Sequence, residues 1–503
     1  MGDDSVLHDG AYDRVRLTRT EDPELRVISD VQQKDELRRR FPNLIPQLER
    51  YEKLATQLLV CFPLWCTMHV FPWSVRPALM RTLLPRVWWD YAGRSAEDVL
   101  NEIFADAPES ERENVLKVQG YICGLWLDSG CTPDRVSFFM IAAVATGFPH
   151  EGGAYPEGGT GEMGAALVES LEARGGHCFV RAPVERILLD DSGRAVGVET
   201  TDQAGKVQLF ASHCVVSACG WRNTARLCPG SKFSGAGELP LKQGAGFVMA
   251  NIGIKGSAAT LGLECANMEL LPVGNGLSVF DGVRKYLEDP LGVPPMEVPM
   301  MFTFPSVKDR AYTRGADEAS ARESAQILCL AKAEWFGEVP QPETGTATTP
   351  AWQHPVRSPE YAEIKEKWRS RLRTALLGIY PQLEGKLDLF DISTPLSIEH
   401  YLPTGSGSAI GLDTNAGAGC RFTDLGVMKM LDMKTPVPSL WMTGQDTFMI
   451  GVPLAQASGL ITAVRIAGPL RATLFAVRSI WLLVASLGHA ARSRLAAAAQ
   501  AAA

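Results

Sequence analysis

Residues Trp441–Gly459, WMTGQDTFMIGVPLAQASG, carry the groups best suited to chemistry, and that chemistry is holding a sugar-phosphate cofactor. A short apolar strand over Ser439–Met442 should run into Thr443-Gly444-Gln445-Asp446, then Gly451, then a small-residue helix from Pro453 to Ala467. Gly444 and Gly451 let a backbone approach a ligand closely, and Asp446 can accept hydrogen bonds from sugar or ribityl hydroxyls. The helix N-terminus can face an anion. On residue types alone the segment suits any strand-to-helix turn as well as half of a flavin site.

The other half of such a site would open with an apolar strand, G-x-G-x-x-G, a helix, and an acid at the end of the next strand. Residues 1–60 hold no such unit: Met1–Asp35 is polar and charged, with Gly2 and Gly10 its only glycines. A literal match, Gly159-Thr160-Gly161-Glu162-Met163-Gly164, follows HEGGAYPEG instead of an apolar strand and reads as a decoy. No Ser/His/Asp constellation emerges, and His8, His69 and His354 are isolated. The eleven cysteines form no C-x-x-C pair and no metal-like cluster, so no metal site is expected. Cys61/Cys66 and Cys214/Cys219 lie in apolar runs and read as buried free thiols of a reducing compartment.

The elements that must position these groups show an α/β rhythm. Gly161–Arg174 has helical spacing and ends at Gly175-Gly176. His177–Arg181 and Val184–Asp190 read as extended, Ser192-Gly193 as a turn, and Arg194–Thr200 with Lys206–Phe210 as the rest of a meander. Cys214–Ser217 is a short buried strand.

At 503 residues and 46% hydrophobic content the chain can bury large cores and suits two domains. A net charge of −8 gives no reason to expect nucleic acid. The N-terminus MGDDSVLHDG has neither a basic nor an apolar region of a signal peptide. Two segments suit either a bilayer surface or an ordinary core. Leu58–Val75 has no formal charge, is interrupted by Pro63 and Pro72, and precedes Arg76, Arg81 and Arg86 beside Trp88 and Trp89. Leu470–Ala491 places Arg471, Arg478 and Arg492 near one helical face, with an apolar run too short to span a membrane.

Blocks across nearly the whole chain resemble the all-trans-retinol 13,14-reductase (retinol saturase) group, within the phytoene desaturase and carotenoid isomerase family of flavoproteins. They are GGAYPEGGTGEM (Gly152–Met163), RAPVERILLDDSGRAVGV (Arg181–Val198), VVSACGWRNTARLCPG (Val215–Gly230), FPSVKDRAYTR (Phe304–Arg314), AKAEWF (Ala331–Phe336), STPLSIEHYLPTGSGSAIGLD (Ser393–Asp413) and WMTGQD (Trp441–Asp446). HDGAYDRVRL (His8–Leu17) is similar to the family segment that follows the dinucleotide strand-turn-helix. The GWRNT, PSVKD and AKAEWF stretches are more saturase-like than desaturase-like.

The resemblance implies a two-domain α/β fold of the FAD-dependent amine-oxidase and phytoene-desaturase type. A Rossmann-like FAD domain, incomplete at its N-terminus, would comprise 1–30, 152–228 and 398–468. A mixed α+β substrate domain would comprise 31–151 and 229–397, with 469–503 an amphipathic tail. It implies FAD as cofactor, with NAD(P)H or another reductant as electron source, a hydrophobic polyene as substrate, and a peripheral place on endoplasmic reticulum or plastid membranes. Gly444 and Asp446 would lie by the ribityl–phosphate arm, Gly451 and Val452 by the flavin ring, Val184 by adenine, and Gly158 and Gly159 at the crossover. Saturation also needs a proton donor, for which Lys308, His400 and Tyr401 are the candidates within matched blocks. Their ordinary readings are an ion pair of Lys308 with Asp309 or Asp317, and strand packing for His400-Tyr401. The absent fingerprint fits an incomplete gene, a paralogue that has lost tight FAD binding, or a split enzyme completed by a partner chain. Three functions follow: a polyene saturase, a carotenoid isomerase or desaturase, and a flavin-free isoprenoid-binding protein.

Overall fold

The computed structural model describes residues 10–146, 153–201, 207–231, 233, 239–313, 315, 317–339 and 357–479. Twelve strands are defined among them: β1 Asp13–Leu17, β2 Leu25–Val27, β3 Val184–Leu189, β4 Ala195–Thr201, β5 Val207–Ala211, β6 Val215–Ser217, β7 Gly246–Lys255, β8 Asn267–Leu271, β9 Met300–Thr303, β10 Arg322–Ala331, β11 Leu387–Ser393 and β12 Leu440–Met442. They form a seven-stranded sheet in the order β11-β7-β10-β9-β8-β1-β2, a meander β3-β4-β5, and a parallel pair β12-β6.

The period-2 burial of β7 and β10 makes the large sheet two-faced. One face packs on the Pro359–Ile379 helix through Trp368, Leu372 and Leu376, and Phe302 meets the Tyr380 ring at 6.2 Å. The opposite face carries the row Val15, Glu269, Met301, Leu328 and Met249, each directly opposite the next across the ladder. Antiparallel pairing prevails, but β1 joins β8 in parallel, with Asp13 opposite Asn267 and Val15 opposite Glu269. Residues 13–27 therefore supply the two strands at one edge of the large sheet. β1 joins β8 and β2 pairs in turn with β1, with Val15, Leu17, Leu25 and Val27 buried along them.

The meander appears where the alternation placed it, with one correction. Residues 177–181 form no ladder and are irregular, because an extended stretch without a partner strand gains no cross-strand bonds. The Gly161–Glu172 helix ends as its glycines require: Gly176 N donates to the Leu171 carbonyl, and Gly175 has φ +80°.

A second correction concerns Pro63. The helix runs unbroken over Ile45–Met68 with Pro63 inside it. Burial of Leu58, Cys61, Trp65 and Met68 outweighs the lost hydrogen bond. Trp65 stacks among Trp88, Phe422 and Phe448 with ring centroids 5.6–6.1 Å apart. Arg76 and Trp88 are wholly buried, and Arg76 pairs with Asp432 at 2.7 Å. This basic–aromatic stretch is thus core along one side, with Arg81, Leu83 and Arg86 on the other. Among the described residues no helix is long and apolar enough to cross a membrane. Of the four thiols expected to be buried, only Cys61 is; Cys66 and Cys214 are half-buried and Cys219 is exposed at the end of β6.

Candidate active site

The C-terminal strand–turn–helix forms as its residue types demand: β12, a turn over 443–451, then the Val452–Ile466 helix. Gly444 and Gly451 sit at φ +96° and +99°, where only glycine is unstrained. The buried Ser458 hydroxyl accepts from Gly444 N at 2.9 Å and meets the Thr443 and Thr447 hydroxyls at 3.0 Å, fastening the turn to its helix. A Cβ on Gly451 would enter open space, and Val452 is exposed.

Asp446 is used differently from the sequence expectation. It is buried, its Oδ2 accepts from Trp221 N and its Oδ1 from Leu412 N, both at 2.8 Å. Gly220 and Gly411 press so close that a Cβ on either would lie 2.8 or 2.1 Å from this carboxylate. Asp446 is a clasp joining three loops.

Beside this turn lies a cavity of about 230 Å³. Phe247, Met301 and Leu328 of the large sheet form one wall, and Ile410, Ile450 and Gly451 face them. The space therefore lies between the apolar sheet face and the glycine turn. Asp128, from the 3-10 turn Trp126–Ser129, also lines it. Gly130, at φ +76°, closes that turn against Ile410 and Ile450.

A polar cluster adjoins the cavity on the same sheet face. Lys308 donates to Thr303 Oγ1 at 2.8 Å and to Asn267 Oδ1, and Asn267 Nδ2 donates to Asp13 Oδ1 at 2.7 Å. Glu269 is 1% exposed, and neither carboxylate oxygen has a hydrogen-bond partner among the described residues. Burial, reinforced by the charges of Asp13 and Asp128, pushes its carboxyl well above the usual range. Burial likewise raises Asp13 to about 7 and Asp128 to about 6, while Lys308 is lowered by burial against the pull of the three acids. Asp128 is exposed by area and lines the half-open cavity, so burial raises its carboxyl less firmly than those of Asp13 and Glu269. Three carboxyls shifted upward by burial thus stand at or beside an apolar chamber.

Of the residues singled out from sequence, the structure brings Gly451 to the cavity and Lys308 to its polar edge. Lys308 makes neither expected ion pair; Asp309 instead accepts from Gly158 N at 2.9 Å. Gly158, Gly159 and Val184 do not line the cavity. The 159–164 glycine match is preceded by irregular chain. His400 and Tyr401 end a helix, Pro395–Tyr401, not a strand. Their rings pack at 4.9 Å, and Tyr401 is 58% exposed. Asp13, Asp128 and Glu269 were missed, although a lone acid inside the apolar strand NMELL (Asn267–Leu271) is a readable signal.

No family model matches the chain. It is 25% identical over 426 residues to "All-trans-retinol 13,14-reductase" of Danio rerio, which covers 83% of this chain and 65% of that protein. It is 27% identical over 440 residues to the protein of the same name from Homo sapiens, covering 84% and 66%. An "Inactive all-trans-retinol 13,14-reductase" of Danio rerio is 24% identical over 441 residues, 85% of this chain and 66% of that one. The chain thus spans a little under two thirds of the length of these relatives. Among solved structures, a putrescine-bound putrescine oxidase superposes with a TM-score of 0.46 at 13% identity, covering 90% of this chain and 79% of that one. By sequence, the chain is a relative of the all-trans-retinol 13,14-reductases, sharing with them most of its own length.

Proposed function

We propose that this chain is the greater part of an FAD-dependent oxidoreductase that saturates one double bond of a retinoid or related polyene. The observation that carries the reading is the cavity itself: an apolar sheet face, a positive-φ glycine at a helix N-terminus and the Asp128 carboxyl line one space. The names of the curated relatives support the same substrate class.

The residues present fit the ring end of a flavin. Gly451 leaves open space where a side chain would stand, and the first turn of the Val452–Ile466 helix is uncovered. Gly444, Gly451 and Val452 would hold that end through backbone groups. When bound, the flavin supplies the hydride. Phe247, Met301 and Leu328 would align the polyene and keep water out. The cavity is smaller than the roughly 300–1,000 Å³ common for ligand pockets, so it suits the section around one double bond.

Two further features belong to this reading. The Gly161–Glu172 helix has no buried residue, and Leu167 and Leu171 are exposed. An apolar helix face normally needs a cover, which supports a dinucleotide-binding segment docking there, on this polypeptide or on a partner chain. Residues 469–479 are helical, with Leu470, Leu474 and Val477 exposed along one face and Arg471 and Arg478 beside them. That pattern supports peripheral membrane contact; residues 480–491 of the expected helix lie outside the described residues.

The test is the visible spectrum of the purified chain before and after excess FAD, followed by single turnover with all-trans-retinol and dithionite-reduced flavin. Retained flavin and a saturated product are expected. A colourless chain that still binds retinol would instead support the flavin-free reading, which the inactive relative keeps in view.

A further inference from the structure

We propose that Asp128 is the acid that protonates the polyene during saturation. The inference rests on the reductase reading above and names the group that completes it.

Adding hydride to one carbon of a conjugated double bond makes a C–H bond and moves the π pair onto its partner carbon. That carbon must take a proton, and the pair forms the second C–H bond as an O–H bond breaks. The hydride would come from a reduced flavin, and an acid lining the cavity can supply the proton. Among the described titratable groups, Asp128 alone lines that space. It stands on the short turn Trp126–Ser129, and Gly130 packs that turn against Ile410 and Ile450 opposite the sheet wall. The donor is therefore held in the same enclosure as Gly451, where the ring end of the cofactor would lie.

The groups around Asp128 explain how the proton is kept. Three charged groups interact with it: Asp13 on β1, Glu269 on β8, and Lys308 from the Pro305–Lys308 turn. Glu269 and Asp13 do not line the cavity and are 1% and 4% exposed, too buried to reach a substrate. Burial raises the Asp128 carboxyl to about 6 against the pull of Lys308. After transfer the Asp128 carboxylate is stabilised by Lys308, whose ammonium is already fixed by Thr303 and Asn267. Asp128 is thus the catalytic residue and Lys308 a positioning residue that sets its charge.

The experiment compares wild type, Asp128→Asn and Asp128→Glu in the full chain loaded with FAD. Retinol binding is read by fluorescence, single-turnover saturation by product and flavin absorbance, and carboxyl titration by carbon-13 NMR of aspartate-labelled chain without FAD. The expected result is unchanged retinol binding, a rate loss of about 10²–10⁴-fold in Asp128→Asn, and partial recovery in Asp128→Glu. A carboxyl signal titrating near pH 6 should be present in wild type and vanish in both Asp128 variants. Asp128→Asn turning over at the wild-type rate would overturn the assignment and leave the reductase reading intact. So would an Asp128 signal already ionised below pH 5. If FAD-loaded wild type binds retinol but never saturates it, the reductase reading falls, and the assignment with it.

Discussion

Asp13, Glu269 and Lys308 act on each other before they act on any ligand. The folded chain keeps Asp13 protonated to about pH 7, whereas an unfolded aspartate ionises near 3.8. The native state therefore binds more protons across that interval. Its contribution to stability is complete below pH 4 and is lost as pH rises through 7. Asp13→Asn, which keeps an oxygen for Asn267, should flatten this fall; thermal midpoints measured from pH 4 to 8 check it. Lys308→Met removes the one positive charge that lowers the three acids, so the Asp128 titration should move upward. The variant should also lose about 1–3 kcal/mol as Asn267 and Thr303 lose their donor, measurable by urea unfolding.

Single elements hold the site through a few local bonds. Asp446 joins the segment after β6, the 408–413 loop and the C-terminal turn by two backbone bonds. Asp446→Ala should cost about 3–5 kcal/mol, because two buried N–H groups lose a charged acceptor, and Asp446→Asn should cost less. Equilibrium unfolding of both variants tests the difference. In the Ile45–Met68 helix the exposed Pro63 breaks the hydrogen-bond ladder without serving a contact that Ala would lose. Pro63→Ala should raise stability, by up to about 3 kcal/mol. Much of this scale was legible in the residues: the strand, turn and helix around Gly444 and Gly451 lie within a residue or two of where glycine placement and apolar runs put them. The continuity of the helix through Pro63 was not legible, since propensity is local and the burial that overrides it comes from the Phe138–Thr146 helix and Trp88 far along the chain.

Across the whole molecule, Asp432 ties the helical body to the C-terminal helix. It pairs with Arg76 at 2.7 Å and with Arg465 at 2.6 Å, all three nearly excluded from solvent. Removing it leaves Arg76, wholly buried, without its counter-charge. Asp432→Ala should therefore cost about 3–5 kcal/mol, and a double-mutant cycle with Arg76→Met should recover a large part of that loss. The same ion pair explains why Arg76 beside aromatic residues was open to two readings: a membrane surface and a buried partner look alike until the partner is brought in.

By itself, the sequence determined what depends on neighbours within a few residues. The positive-φ glycines, the meander alternation and the glycine stop after Leu171 are backbone requirements, and residue type expresses them directly. The likeness to the retinol reductases was also readable, because order and spacing of blocks survive without any contact being known. Only the tertiary structure decided that Asp446 is a clasp, that Lys308 faces amides and acids instead of its neighbour Asp309, and that Asp128 opens into the cavity. For Lys308 the reason is the parallel pairing of β1 with β8, which sets Asp13 opposite Asn267; for Asp446 and Asp128 it is loops distant in sequence that meet only in the fold. A buried charge cluster is a property of that registry, and no local pattern records which distant strand completes it.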